Sequence, residues 1–174
     1  MLVSGSRCKA IKAGSTIKKV VANIDIGPTL LEAAGLRTPG HMDGRSFYKI
    51  AQGRDIPWRD YVLYEYFWER NYPHTPTLHA VRGERYKYIR YHGLWDVNEL
   101  YDLENDPHET TNLIFEPRHQ PTVARLNQRL FELLEESNGL NLRLAPDRGP
   151  TFPNRHPERA KPGQFPKVWM KTSE

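Results

Sequence analysis

"LHAVRGERYKYIRYH" (residues 78–92) alternates aromatic and β-branched residues with charged ones and breaks the alternation once, at "RGER" (82–85). A period of two in such residues belongs to strands with one buried and one wetted face, and Gly among charged residues is turn chemistry. The stretch therefore predicts two antiparallel strands joined by a tight connection. The same enrichment recurs on either side, in "RDYVLYEYF" (59–67) and "ELYDL" (99–103), so three or four antiparallel strands are expected. Between the first two lies "WERNYPHTP" (68–76), whose prolines and lack of period predict a loop. "PTVARLNQRLFELLEESN" (121–138) places Val123, Leu126, Leu130, Leu133 and Leu134 on one helical stripe and stops at Gly139. That is an amphipathic helix able to cover the sheet.

Upstream the grammar differs. "TIKKVVANI" (16–24) is short and β-branched and predicts a strand, running straight into "DIGPTLLEAAGL" (25–36). There Asp25 is expected to cap a helix, Pro28 to sit in its first turn, Leu30, Leu31 and Ala34 to form its apolar face, and Gly35 to stop it. A strand entering a capped helix is an α/β unit. "RTPGHMDGRSFYKIAQGRDIPW" (37–58) is turn-rich, with one short helix expected within 44–52. The expected organisation is an α/β region over 1–55, a small antiparallel sheet with one packed helix over 56–139, and a Pro-rich extended tail over 140–174.

Composition excludes several classes. The 174 residues are 38% hydrophobic with nine Tyr, six Phe and four Trp, too aromatic for a disordered chain. The net charge of +4 comes from dispersed basic residues, which argues against nucleic acid as a partner. No apolar run approaches the roughly 18 residues of a membrane span, and the first 25 residues lack the apolar core of a signal peptide; read as complete, the chain would be cytoplasmic. One cysteine forms no internal disulfide.

Candidate sites can be weighed in turn. "ELYDLENDPHETTNL" (99–113) is acidic enough to suggest a calcium loop, yet it has no central Gly and places Pro at 107. Asp106, Pro107 and Glu109 fit a helix start or turn box better. Cys8, in "SRCKAIK", has basic neighbours but sits in a Gly/Ser-rich lead-in that cannot hold a nucleophile in place. The seven histidines contain no H-E-x-x-H pair. His74, His79 and Arg82, with Lys87 as a further member, could form a cationic cluster for a sulfate, phosphate or carboxylate. The alternative, a solvated sheet face with cation-π contacts, stands beside it. No complete active site is present.

Six motifs in order carry a family resemblance over roughly residues 12–136. "GSTIKKVVANIDIGPTLLEAAGLRTPGHMDGRSFYKIAQG" resembles the segment following the catalytic centre of type I sulfatases, with its D-x-x-P-T-L-L helix and M-D-G-x-S box. "WRDYVLYEY", "VRGERYKYIRY" and "ELYDLENDPHETTNL" resemble that family's C-terminal subdomain, above all in the heparan-type members, the glucosamine-6-sulfatases and N-sulfoglucosamine sulfohydrolases. The resemblance implies the end of an alkaline-phosphatase-like α/β core followed by a small four-stranded sheet with one helix. It implies a sulfuric ester hydrolase acting on sulfate esters or sulfamates of sulfated sugars, using calcium and a formylglycine made within C/S-x-P/A-x-R. Cys8 is followed by "KAIK", so the nucleophile motif and the metal-binding aspartates are missing, and a C-terminal fragment lacking its N-terminal catalytic part is expected. No turnover, no bound cofactor and no membrane or nucleic-acid partner follow for this chain alone. The intact enzyme would be periplasmic or secreted. Substrate contacts would come from Tyr72, His74, His79 and Arg82, in and beside the loop facing the cleft. A stand-alone sulfated-glycan-binding or interaction module is the alternative.

Overall fold

The structure, a computed structural model, describes residues 11–67, 76–92, 96–142 and 163–164. The chain divides into two compact units, Met1–Val62 and Leu63–Glu174.

In the first unit a 3-10 turn (Asn23–Asp25) leads into α1 (Ile26–Ala33), and α2 (Tyr48–Ala51) follows within the expected window. α1 ends as its sequence requires. Gly35 takes φ +74°, Leu36 N–H bonds the Leu31 carbonyl and Gly35 N–H the Glu32 carbonyl, the two closures of a glycine-terminated helix. Two expectations need correction. Residues 16–22 form no strand, because a strand is completed by a partner's hydrogen bonds and no described residue supplies them. Asp25 precedes α1 but does not cap it. Its fully buried carboxylate instead accepts from the Ala22 N–H at 2.8 Å, the Arg45 N–H at 2.8 Å and the Arg59 guanidinium at 2.6 Å. The Asp25 carbonyl accepts from the Thr29 hydroxyl, which in turn accepts from the Phe47 N–H. Thus the D-x-x-P-T and M-D-G motifs are two sides of one knot.

The second unit is a sheet in the order β1 (Val62–Tyr66), β2 (Leu78–Arg82), β3 (Tyr86–Tyr91), β4 (Glu99–Asp102). β2/β3 and β3/β4 are antiparallel, pairing Val81 with Tyr88 and Tyr88 with Leu100. α3 (Gln120–Glu136) packs on β2 and β3. Its Leu126, Leu130, Phe131 and Leu134 are buried, as are Val81, Tyr88 and Leu100. Burying each such side chain contributes about 1.5–3 kcal/mol, which makes this layer the unit's core. The left-handed residue ending α3 is Asn138, not Gly139; a Cβ on Gly139 would lie 3.0 Å from Leu134 Cδ2, a tight contact. From the tail, β5 (Asn141–Leu142) pairs antiparallel with β6 (Gly163–Gln164). Among the described residues no helix is long and apolar enough to cross a membrane.

The knot in the first unit makes a sharp prediction. A Cβ on Gly44 would sit 2.0 Å from the Ile24 carbonyl oxygen, whereas one on Gly40 would meet nothing within 4 Å. Gly44→Ala should cost at least about 3 kcal/mol by chemical denaturation and Gly40→Ala under about 0.5. Equal effects would dissolve the knot as an explanation.

Candidate functional site

β2 sends its residues alternately to the two sides of the sheet. His79 and Val81 lie on the side covered by α3, opposite Arg90 and Tyr88; Ala80 and Arg82 lie on the other, opposite Ile89 and Lys87. The expected cluster is therefore divided. His79 is 0% exposed, its Nδ1 2.8 Å from His92 Nε2 and its Nε2 3.3 Å from a Glu65 carboxylate oxygen. The Phe67 ring meets it edge-on at 5.7 Å. Burial first, then the neighbouring His79 and Arg90, hold His92 down to a pKa of about 4. Arg90 donates to the buried Asn127 of α3 at 2.8 Å, and its guanidinium lies 5.4 Å from the Phe131 ring. Arg82 is exposed. Lys87 pairs with Glu109 and lies 5.6 Å over Tyr101. Tyr72 and His74 lie outside the described residues.

Sequence reasoning missed Glu65, His92 and Asn127. The histidine pair had a usable signal: a turn at 83–85 sets His79 opposite Arg90, and His92 is the diagonal neighbour two residues on. Asn127 had none, since a polar residue among leucines reads as a solvent position until the sheet is in place.

The acids of 99–113 all have protein partners. The Arg85 guanidinium grips Asp102 at both oxygens, Nε to Oδ1 at 3.1 Å and Nη2 to Oδ2 at 2.8 Å, and Asn105 adds a bond at 2.9 Å. Chiefly through Arg85, against burial, the Asp102 carboxyl is lowered to about 2. Glu99 accepts from the Tyr91 hydroxyl at 3.0 Å and the Tyr101 hydroxyl at 2.9 Å; burial first, and then Glu99, push both phenols up to about 12. Asp106 does not start a helix. It accepts from the Thr110 hydroxyl and Thr111 N–H within a turn, where Glu109 takes φ 55°. Among the described residues no three His, Cys, Asp or Glu side chains converge to hold a metal. These acids do not fit a calcium ion, and Cys8, outside the described residues and followed by "KAIK", does not fit the formylglycine motif.

Comparison with known proteins decides the family. Residues 4–136 match the family described as N-sulphoglucosamine sulphohydrolase, C-terminal. The chain belongs to that family. The chain is 32% identical over 135 residues to the N-acetylglucosamine-6-O-sulfatase of Bacteroides thetaiotaomicron, covering 74% of this chain and 23% of that protein. It is 31% identical over 157 residues to the N-acetylglucosamine-6-sulfatase of Capra hircus, covering 73% and 28%. A solved structure in complex with its substrate D-glucosamine-2-N,6-O-disulfate superposes with TM-score 0.66 at 29% identity, over 75% of this chain and 27% of that one. A 2-O GAG sulfatase gives TM-score 0.57 at 33% identity, over 66% and 24%. The sulphohydrolase-family chain thus spans about a quarter of the length of the relatives it matches, and its four-stranded sheet and helices are those of sulfatases.

In this family member Asp102 is the acid whose loss the geometry makes costly. Asp102→Asn should lower stability at neutral pH by about 1.5–3 kcal/mol, the worth of hydrogen bonds to a charged partner. Because the folded carboxyl titrates near 2 against 3.8 unfolded, its contribution is complete above about pH 4 and disappears as pH falls towards 2. Denaturation curves of wild type and variant should therefore converge in acid. A constant gap would contradict this origin.

Proposed function

We propose that this chain is the C-terminal part of a sulfatase that hydrolyses sulfate esters or sulfamates of sulfated sugars, with nucleophile and metal ligands supplied by a catalytic part outside it. One observation carries the reading: residues 4–136 match a sulphohydrolase C-terminal family, while the chain spans only 23% of a glucosamine-6-O-sulfatase to which it is 32% identical. The surface of the first unit supports it. α1 turns Pro28 and Thr29 inward and leaves Ile26 and Leu30 outward, Leu30 at 64% exposure, with Ile24 and Leu36 also exposed. An apolar stripe of this kind suits burial against a larger body.

On this reading the formylglycine and calcium belong to the catalytic part, and the intact enzyme is periplasmic or secreted. Tyr72, His74 and Arg82 contact the sulfated sugar, Arg82 through charge-assisted bonds to a sulfate. His79, buried on the opposite face of β2, stands outside that contact.

Two measurements test the proposal. Purified chain incubated with an aryl sulfate and with glucosamine 6-sulfate should show no sulfate release above blank; turnover would overturn the non-catalytic assignment. In the B. thetaiotaomicron 6-O-sulfatase, Ala at the position aligned with Arg82 should raise KM severalfold with kcat nearly intact, and unchanged kinetics would remove Arg82 from the substrate site.

A further inference from the structure

Glu65 of β1, His79 of β2 and His92, the residue that follows β3, meet on the α3 side of the sheet in one line of hydrogen bonds. Proton counting constrains that line. A carboxylate only accepts, so His79 Nε2 must carry the proton shared with Glu65. If His79 is neutral, its Nδ1 is then a lone pair, and His92 Nε2 must donate across the 2.8 Å contact. If His79 gains a proton, its Nδ1 donates instead and His92 Nε2 must be the lone pair. The contact survives either way, with its direction reversed. A second proton sets N–H against N–H and ruptures it.

We propose that Glu65, His79 and His92 form a single-proton latch: a chain that accommodates one added positive charge and opens on the second, releasing β1 from the β2–β3 hairpin. The latch sits where the β1–β2 connection leaves and re-enters the sheet. Phe67 packs edge-on against His79, and the His92 backbone N–H donates to the Thr77 carbonyl at 3.0 Å.

The surrounding charges agree. β1 contributes Glu65. β3 contributes Arg90, whose positive charge opposes a second cation on His92. α3 faces Arg90 with Asn127 and Phe131, while its charged Arg129, Glu132 and Glu136 bond one another. On β4 the acid sharing this side of the sheet, Asp102, is held by Arg85. Burial works in the same direction as Arg90, so His92 takes its proton only near pH 4 against 6.5 unfolded. Between those values the unfolded chain binds more protons, so the latch is intact above about pH 6.5 and weakens as pH falls towards 4. The inference rests on the sheet's geometry and stands apart from the sulfatase reading.

Imidazole nitrogen NMR of the ¹⁵N-labelled chain across about pH 7.5 to 3.5 tests it, with signals assigned through His79→Gln and His92→Gln. The pair should titrate in two separate steps, as coupled groups do. The His92 step should fall at least about one unit below its unfolded value of 6.5, with Phe67 and Thr77 amides shifting in the same step. In His79→Gln the His92 step should move up by at least several tenths of a unit, because His79 is one of the groups holding it down. His92 titrating near 6.5 in wild type overturns the latch, as does a His92 step unmoved in the variant. If the variant does not fold, the wild-type titration decides alone.

Discussion

Leu126, Leu130 and Leu134 close one side of a four-stranded sheet, and the second unit depends on that closure. Once α3 lies on β2 and β3, each polar group trapped under it must find a partner, since burying one without a partner costs about 1–3 kcal/mol. Asn127 answers for two of them, accepting from Arg90 at 2.8 Å and the Tyr88 hydroxyl at 3.3 Å. His79 is answered by Glu65 and His92, and Asp102 by Arg85. The polar interior is thus a consequence of apolar packing, and its hydrogen bonds specify which strand residues stand opposite which.

The first unit solves a similar problem with a charge. Asp25, at 0% exposure, ties the turn before α1, the backbone at Arg45 and the Arg59 side chain to a single carboxylate. Removing one partner of such a buried pair is far more costly than the pair is stabilising, because a bare charge remains. The motifs that place the chain beside sulfatases are therefore, in the described residues, scaffold motifs. D-x-x-P-T and M-D-G tie the turn before α1 to the backbone at Arg45.

Much of this architecture was legible in the sequence, for identifiable reasons. The strands around residues 62–66, 78–91 and 99–102 and the helix at 120–136 announce themselves by local periodicity, which any one segment contains in full. What failed depended on distant partners. "TIKKVVANI" has strand composition but no described neighbour to pair with, and the acids at 25 and 106 read as helix caps until Arg59 and Thr111 were seen to hold them. His79 read as a substrate contact, with a solvated surface position as the alternative, because a histidine among alternating charges looks exposed. Its burial follows from the side of β2 that α3 covers, and that choice lies some forty residues downstream.

A sheet and helix of sulfatase type, a match to a sulphohydrolase C-terminal family and an exposed apolar stripe on α1 support the proposal that this chain completes an enzyme whose chemistry lies elsewhere. Sequencing the genomic DNA upstream of the Met1 codon tests it most directly. The account predicts a reading frame there encoding a C/S-x-P/A-x-R motif and the aspartates of a sulfatase metal site. Upstream DNA that encodes neither, ahead of an expressed and folded 174-residue protein, would contradict it.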